Sequence, residues 1–156
     1  MSRPGALGLA LVWVSLLSCA RGAPLTLDAI ESGRQRWRAG GVTDYRMRVK
    51  IKSDRTQAGE FRIEVQQGKL HRIARDGESV GMRDPFYTVD GLFGFLLQEL
   101  EMAQEPGRFW AAPAGAYIHQ RAHFDVDLGY PRRYIRAVGG TEHNIVITVE
   151  DFERRN

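Results

Sequence analysis

The sequence predicts an α+β domain in which two helices pack on one face of an antiparallel β-sheet, in the order α-βββ-α-βββ. Three patterns carry that prediction. From Tyr45 to Lys52, apolar and cationic residues alternate with a period of two, as in a strand with one wet face. Val89, Leu92, Phe93, Leu96, Leu100 and Ala103 recur at three- and four-residue steps, as on a helix with one apolar stripe. Gln67-Gly68 and Leu128-Gly129 separate alternating runs closely enough to make hairpins. Helices laid on one face of a sheet bury both apolar surfaces at once.

The elements follow in order. Thr26 is placed to cap a helix reaching about Ala39, with Leu27, Ile30, Arg34 and Trp37 near helical spacing and Gly40-Gly41 as its stop. Tyr45, Met47, Val49 and Ile51 then face one way from a first strand, and Arg46, Arg48, Lys50 and Lys52 the other. Phe61, Ile63 and Val65 repeat the alternation, with Glu60, Arg62, Glu64 and Gln66 outside, and a third strand spans Lys69 to Arg75. Residues 76–87 read as loop, marked by Asp76-Gly77, Gly81 and Asp84-Pro85. Thr88 caps the second helix, with Asp90 in its positive first turn, and Pro106-Gly107 ends it. After a loop over 104–116, strands are expected over Tyr117–Asp127, Pro131–Val138 and Ile145–Phe152. The repeated helix-plus-three-strands order suggests two diverged copies of one unit.

Ahead of this domain, Arg3 is followed by an apolar run from Ala6 to Leu17 and then by Leu16-Leu17-Ser18-Cys19, which holds the only cysteine. The run is shorter than the roughly 20 residues a bilayer span needs and fits the hydrophobic part of a signal peptide. Bacterial lipoprotein signals resemble this arrangement, so residues 1–18 are read as a lipoprotein-type signal peptide. Cys19 is then the lipidation site, residues 19–26 a tether and residues 27–153 a single domain. Ala20, in place of Asp, resembles lipoproteins sorted to an outer membrane facing the periplasm. Two other readings stay open: plain secretion with cleavage near Gly22-Ala23, which Pro24 disfavours, and a cysteine lost with a discarded signal. At about 0.8 kcal/mol per buried CH₂, two acyl chains would hold the protein firmly on its membrane.

The chain of 156 residues carries 22 Lys and Arg against 19 Asp and Glu. Arg3 leaves with the signal, so the net charge falls from +3 to about +2, spread along the chain. About 138 residues remain, room for one domain with its own core. No strongly basic face points to nucleic acid. With one cysteine no internal disulfide forms, and lipidation accounts for a lone thiol in an oxidising compartment.

A family resemblance rests on Trp37 before Asp44-Tyr45-Arg46, on Gln67-Gly68-Lys69 and on Thr88-Val89-Asp90-Gly91-Leu92-Phe93. It rests most on Phe124-Asp125 followed by Leu128-Gly129-Tyr130-Pro131 and Ile135. Over roughly residues 28–152 the chain resembles the uncharacterised bacterial family catalogued as domain of unknown function 6174. Its members are small exported proteins, often lipoproteins, with no assigned activity. Many carry a cysteine pair near the turn after the first long strand; here that region is Ser53 to Ala58, without cysteine. No catalytic residues carry over.

Three groups of residues are candidates for function. Arg46, Arg48, Lys50 and Lys52 make a cationic row about 20 Å long, suited to anionic headgroups or an acidic polymer; the simpler reading is a solvated sheet face balanced across the ladder by Glu60 and Glu64. Phe109 and Trp110 are a candidate contact tip or, more simply, a cover for the domain's own core. His119, Arg121, His123, Asp125 and Asp127 are expected on one face of the fourth strand as a polar site. Its two histidines would lie about 13 Å apart, too far to share one metal, and His123 with Asp125 lacks a third ligand. The Gly129-Tyr130-Pro131 turn is read as turn chemistry. No phosphate loop, zinc-protease helix or nucleophile elbow occurs, and no metal or cofactor is expected.

The expectation is an exported, lipid-anchored cell-envelope protein acting as a non-catalytic binding or accessory domain. Its partners would be the membrane through acylated Cys19, and an envelope protein or anionic polymer. A hydrolase or metal-dependent enzyme and a structural envelope lipoprotein are the alternatives, as is a soluble secreted or periplasmic location.

Overall fold

The computed structural model describes residues 22–53, 58–81 and 85–155. The signal-like segment and Cys19 lie outside the described residues, as do the expectations placed on them. The chain runs through β1 (Ala23–Pro24), α1 (Leu27–Gly40), β2 (Tyr45–Ser53), β3 (Gly59–Gln66), β4 (Lys69–Arg75) and β5 (Glu78–Ser79). It continues through α2 (Val89–Met102), α3 (Pro106–Trp110), β6 (Ile118–Phe124), β7 (Pro131–Val138) and β8 (Ile145–Arg154).

Period-two alternation sets the sheet. On β2 the side chains of Tyr45, Met47, Val49 and Ile51 are buried while Arg46 and Lys52 are exposed. Strand β3 repeats this with Phe61, Ile63 and Val65, and β8 with Ile145, Ile147 and Val149. The eight strands form one antiparallel sheet in the order β1-β6-β7-β8-β2-β3-β4-β5. Two meanders, β2-β3-β4 and β6-β7-β8, lie side by side and join where β8 runs against β2. The fold class is therefore α+β.

Both long helices cover the face that carries those apolar residues. Thr26 Oγ1 accepts from Ala29 N–H at 3.2 Å to start α1, and Thr88 Oγ1 accepts from Gly91 N–H at 3.0 Å to start α2. Helix α2 buries Val89, Leu92, Phe93 and Leu96, each contributing about 1.5–3 kcal/mol of burial. Tyr45 fixes where it begins: Val89 N–H, an otherwise orphaned first-turn donor, gives its hydrogen to the Tyr45 hydroxyl at 2.9 Å. Burial, the largest influence, pushes that hydroxyl well above the usual phenol range. The Tyr45 ring also joins Trp37, Tyr130 and Phe152 in one aromatic cluster, with Tyr130 stacked on Phe152 at 4.4 Å between centroids.

Several expectations are corrected. Helix α1 buries Ile30, Gly33 and Trp37; Leu27 is exposed and Arg34 half-buried, because the helix presents its glycine to a neighbour. The end of the expected tether is an edge strand: Ala23 and Pro24 pair with Ala122 and Arg121, Leu25 N–H donates to the Gln120 carbonyl at 3.0 Å, and Leu25 is buried. The expected 76–87 loop contains β5 and a 3₁₀ turn at Pro85–Tyr87. The 104–116 loop contains α3, which Pro106 can open because a first-turn residue needs no N–H partner. Strand β6 stops at Phe124, short of the expected Asp127. Strand β8 runs past Phe152 to Arg154. Among the described residues no helix is long and apolar enough to cross a membrane.

Candidate functional site

The second face of the sheet carries the polar half of each alternation, away from the core that α1 and α2 cover. Over β2, β3, β4 and β8 it forms a groove of about 460 Å³, whose lining includes Arg46, Arg48, Arg62 and Arg72 with Glu64, Asp151 and Glu153. The acidic rim arises from a bulge. Opposite Arg46 and Arg48, β8 supplies one extra residue, and Asp151 adopts φ 49°. The bulge re-aims the strand: Phe152 turns into the aromatic cluster, and both Glu150 and Asp151 reach Arg48.

The ion pairs on this face follow the ladder. Arg48 lies 3.0 Å from Glu150, 2.7 Å from Asp151 and 3.6 Å from Glu60. Lys50 meets Glu150 at 2.9 Å and Glu60 at 3.8 Å. Arg46 lies 3.5 Å from Glu64, and Arg155 lies 2.5 Å from the same carboxylate. Hydrogen bonding from Lys50 is the leading cause that holds the Glu150 carboxyl below the usual range. Burial pushes Glu64 up, but the Arg46 and Arg155 charges and a Gln66 hydrogen bond overcome it, and the carboxyl is lowered.

The expected cationic row is thus neutralised in its middle. Lys52 stands exposed at its end, opposite Val146. The cations that remain open to the groove lie one and two strands further on. Arg62 faces Arg48 on one side and Ala74 on the other. Its same-strand neighbours Glu60 and Glu64 are already engaged. Among the described residues neither Arg62 nor Arg72 has a carboxylate within ion-pair distance. Sequence reasoning placed Arg62 outside but gave it no role, because the register that sets it against Arg48 spans a loop of unreadable length.

Two other expected groups are rearranged. Trp110 is not a contact tip: it is 1% exposed, with the Arg136 guanidinium 4.9 Å from its ring centroid. Phe109 remains partly exposed beside Arg108. The polar five do not share one strand face. His119, Arg121 and His123 belong to β6, but Asp125 and Asp127 lie in the following turn. There Asp125 Oδ1 accepts from the N–H groups of Asp127 and Leu128 at 3.1 and 2.8 Å, an Asx turn. Arg121 donates to the Gly22 carbonyl. Among the described residues no group of three or more His, Cys, Asp or Glu is arranged to hold a metal ion.

A buried polar network went unnoticed in the sequence. Glu99, on α2 and 2% exposed, accepts from the Tyr134 hydroxyl at 2.6 Å and from Arg136 Nη1 at 2.5 and 2.7 Å. Gln120 Nε2 donates to the Glu99 carbonyl at 2.9 Å and to the Tyr134 oxygen at 3.1 Å. Burial first, then the Glu99 charge, pushes the Tyr134 hydroxyl far up. The signal was present: Glu99 falls three residues after Leu96, on the apolar stripe itself. The Glu99, Tyr134, Arg136 and Gln120 side chains bond to one another and fasten α2 to β6 and β7. Trp110, whose buried indole N–H has no hydrogen-bond partner among the described residues, ties in α3 only through its ring contact with Arg136.

No family model, curated protein or solved structure matches the chain.

Proposed function

We propose that this is an exported cell-envelope protein, tethered through an acylated Cys19, whose domain binds a partner on the open face of its sheet without doing chemistry on it. The observation that carries the reading is the asymmetry of the sheet. One face is sealed by α1 and α2, while the other presents a groove lined by arginines and carboxylates across four strands. A recess of this size lies in the range of small-molecule sites, and its charged lining supplies groups that can orient a ligand. The resemblance to domain of unknown function 6174, with its small exported proteins, supports the same placement.

Two measurements test it. Cys19→Ala should abolish acyl labelling and move the protein from the membrane to the soluble fraction; continued membrane association would overturn the tether. A photo-crosslinker in place of Ala74, inside the groove, should give adducts in cells that one at Gln35, exposed on α1, does not. Equal labelling from both positions would remove the open face as the contact surface.

A further inference from the structure

We infer that Arg62 and Arg72 form the anion-binding end of the groove and that its ligand is a small molecule bearing a phosphate monoester. This deepens the proposed binding role and rests on it. Both guanidinium groups are exposed on the open face of adjacent strands. Arg72 stands directly opposite Glu64, whose carboxylate is held by Arg46 and Arg155. It also sits two residues from Ala74, the ladder partner of Arg62, so Arg62 and Arg72 are diagonal neighbours within reach of one ligand group.

Three observations select the chemistry. The carboxylates nearest in the ladder are committed elsewhere: Glu60 to Arg48 and Lys50, Glu64 to Arg46 and Arg155. Arg62 stands directly opposite Arg48, which already holds Glu60, Glu150 and Asp151, so none of those carboxylates is left over for Arg62. Two open guanidinium groups match the charge of about −1.5 to −2 on a phosphate monoester at neutral pH, and their planar forks match its oxygens. A single carboxylate would leave one of them uncompensated. The far rim settles the size. Glu153 lines the far side of the same groove, beyond the Asp151–Arg48 pair, and repels a long polyanion laid across it, so the phosphate belongs to a compact ligand whose remaining part lies toward the acidic side.

The test uses the full-length protein in neutral detergent, with the arginine Nε–Hε resonances followed by NMR as inorganic phosphate is added. The Arg62 and Arg72 signals should shift saturably, with a dissociation constant on the order of 1 mM. Arg62→Gln and Arg72→Gln should each weaken binding about tenfold, as expected for loss of a hydrogen bond to a charged group. Arg133→Gln, exposed on β7, should leave it unchanged. Both groove variants alter exposed side chains without ion-pair partners among the described residues, so their melting temperatures should stay at or above that of the wild type. Uniform, unsaturable shifts at every exposed arginine would overturn the site. Acetate binding as tightly as phosphate, or binding of polyphosphate alone, would overturn the ligand class. A failed phosphate titration beside specific crosslinking from Ala74 would sink this inference and leave the binding role standing.

Discussion

Glu99 shows what a single residue decides in this molecule. It occupies a position that helical spacing reserves for an apolar side chain, and its charge is held there by Arg136 and Tyr134. Burying two charges is costly, and removing one partner costs more because the other stays behind in the dry interior. Glu99→Ala should therefore destabilise the domain by about 3–5 kcal/mol, read as a lowered urea midpoint. Glu99→Gln, which keeps an acceptor for the Tyr134 hydroxyl, should lose less. If Ala and Gln cost the same, the charge rather than the retained acceptor is what the network needs. Because Arg136 packs over the Trp110 ring, the same substitution should alter Trp110 fluorescence before global unfolding begins.

Among the elements, α1 is seated by contact between two glycines. A Cβ on Gly33 would come within 2.8 Å of the Gly129 carbonyl oxygen and of the Phe124 ring, and one on Gly129 within 2.8 Å of Arg36 Cβ. Gly129 also has φ +79°, where an L side chain is strained. Helix and turn therefore meet backbone to backbone, which explains why the buried face of α1 runs through Gly33 rather than Arg34. Gly129→Ala should cost about 2–4 kcal/mol, combining strain and overpacking, measurable by chemical denaturation. A change below about 0.5 kcal/mol, ordinary for an open surface site, would mean the turn can back away from α1. By contrast Gly68, with φ +72° and nothing within 4 Å of an added Cβ, is constrained by turn geometry alone.

For the molecule as a whole, the open face sets the response to acid. Glu64 and Glu150 are both lowered from their ordinary values. A lowered carboxyl contributes stability that is fully present above its unfolded value, about 4.3, and is lost as pH falls through the folded value. The urea midpoint should hold above about pH 5 and decline below about pH 4.3. Glu150→Gln should flatten that decline. An unchanged slope in the variant would remove Glu150 from the acid response.

The strands were legible because alternation over β2 and β3 is a direct consequence of one wet and one dry face, and the long helices because their caps and stripes are local. Features that depend on neighbours far along the chain were not. The pairing of Ala23 and Pro24 with β6, the bulge at Asp151 and the burial of Trp110 all require a partner that no nearby residue announces. The same distinction runs through the candidate site. The cationic row on β2 could be read at once, with Glu60 and Glu64 as its counterweights. That Glu150 and Asp151 would complete the neutralisation depends on β8 lying beside β2, a contact across about a hundred positions. Arg62 and Arg72 become conspicuous only once those pairings are known.

Strand β1 has a mechanical consequence. Gly22 and β1 lie along the outer edge of β6, where the Gly22 carbonyl is gripped by Arg121 and Leu25 N–H by the Gln120 carbonyl. A pull applied at Gly22 is met by these bonds before it can reach Thr26 and unwind the first turn of α1. The short strand acts as a strain relief, keeping tension at Gly22 away from the helix that closes the aromatic end of the interior.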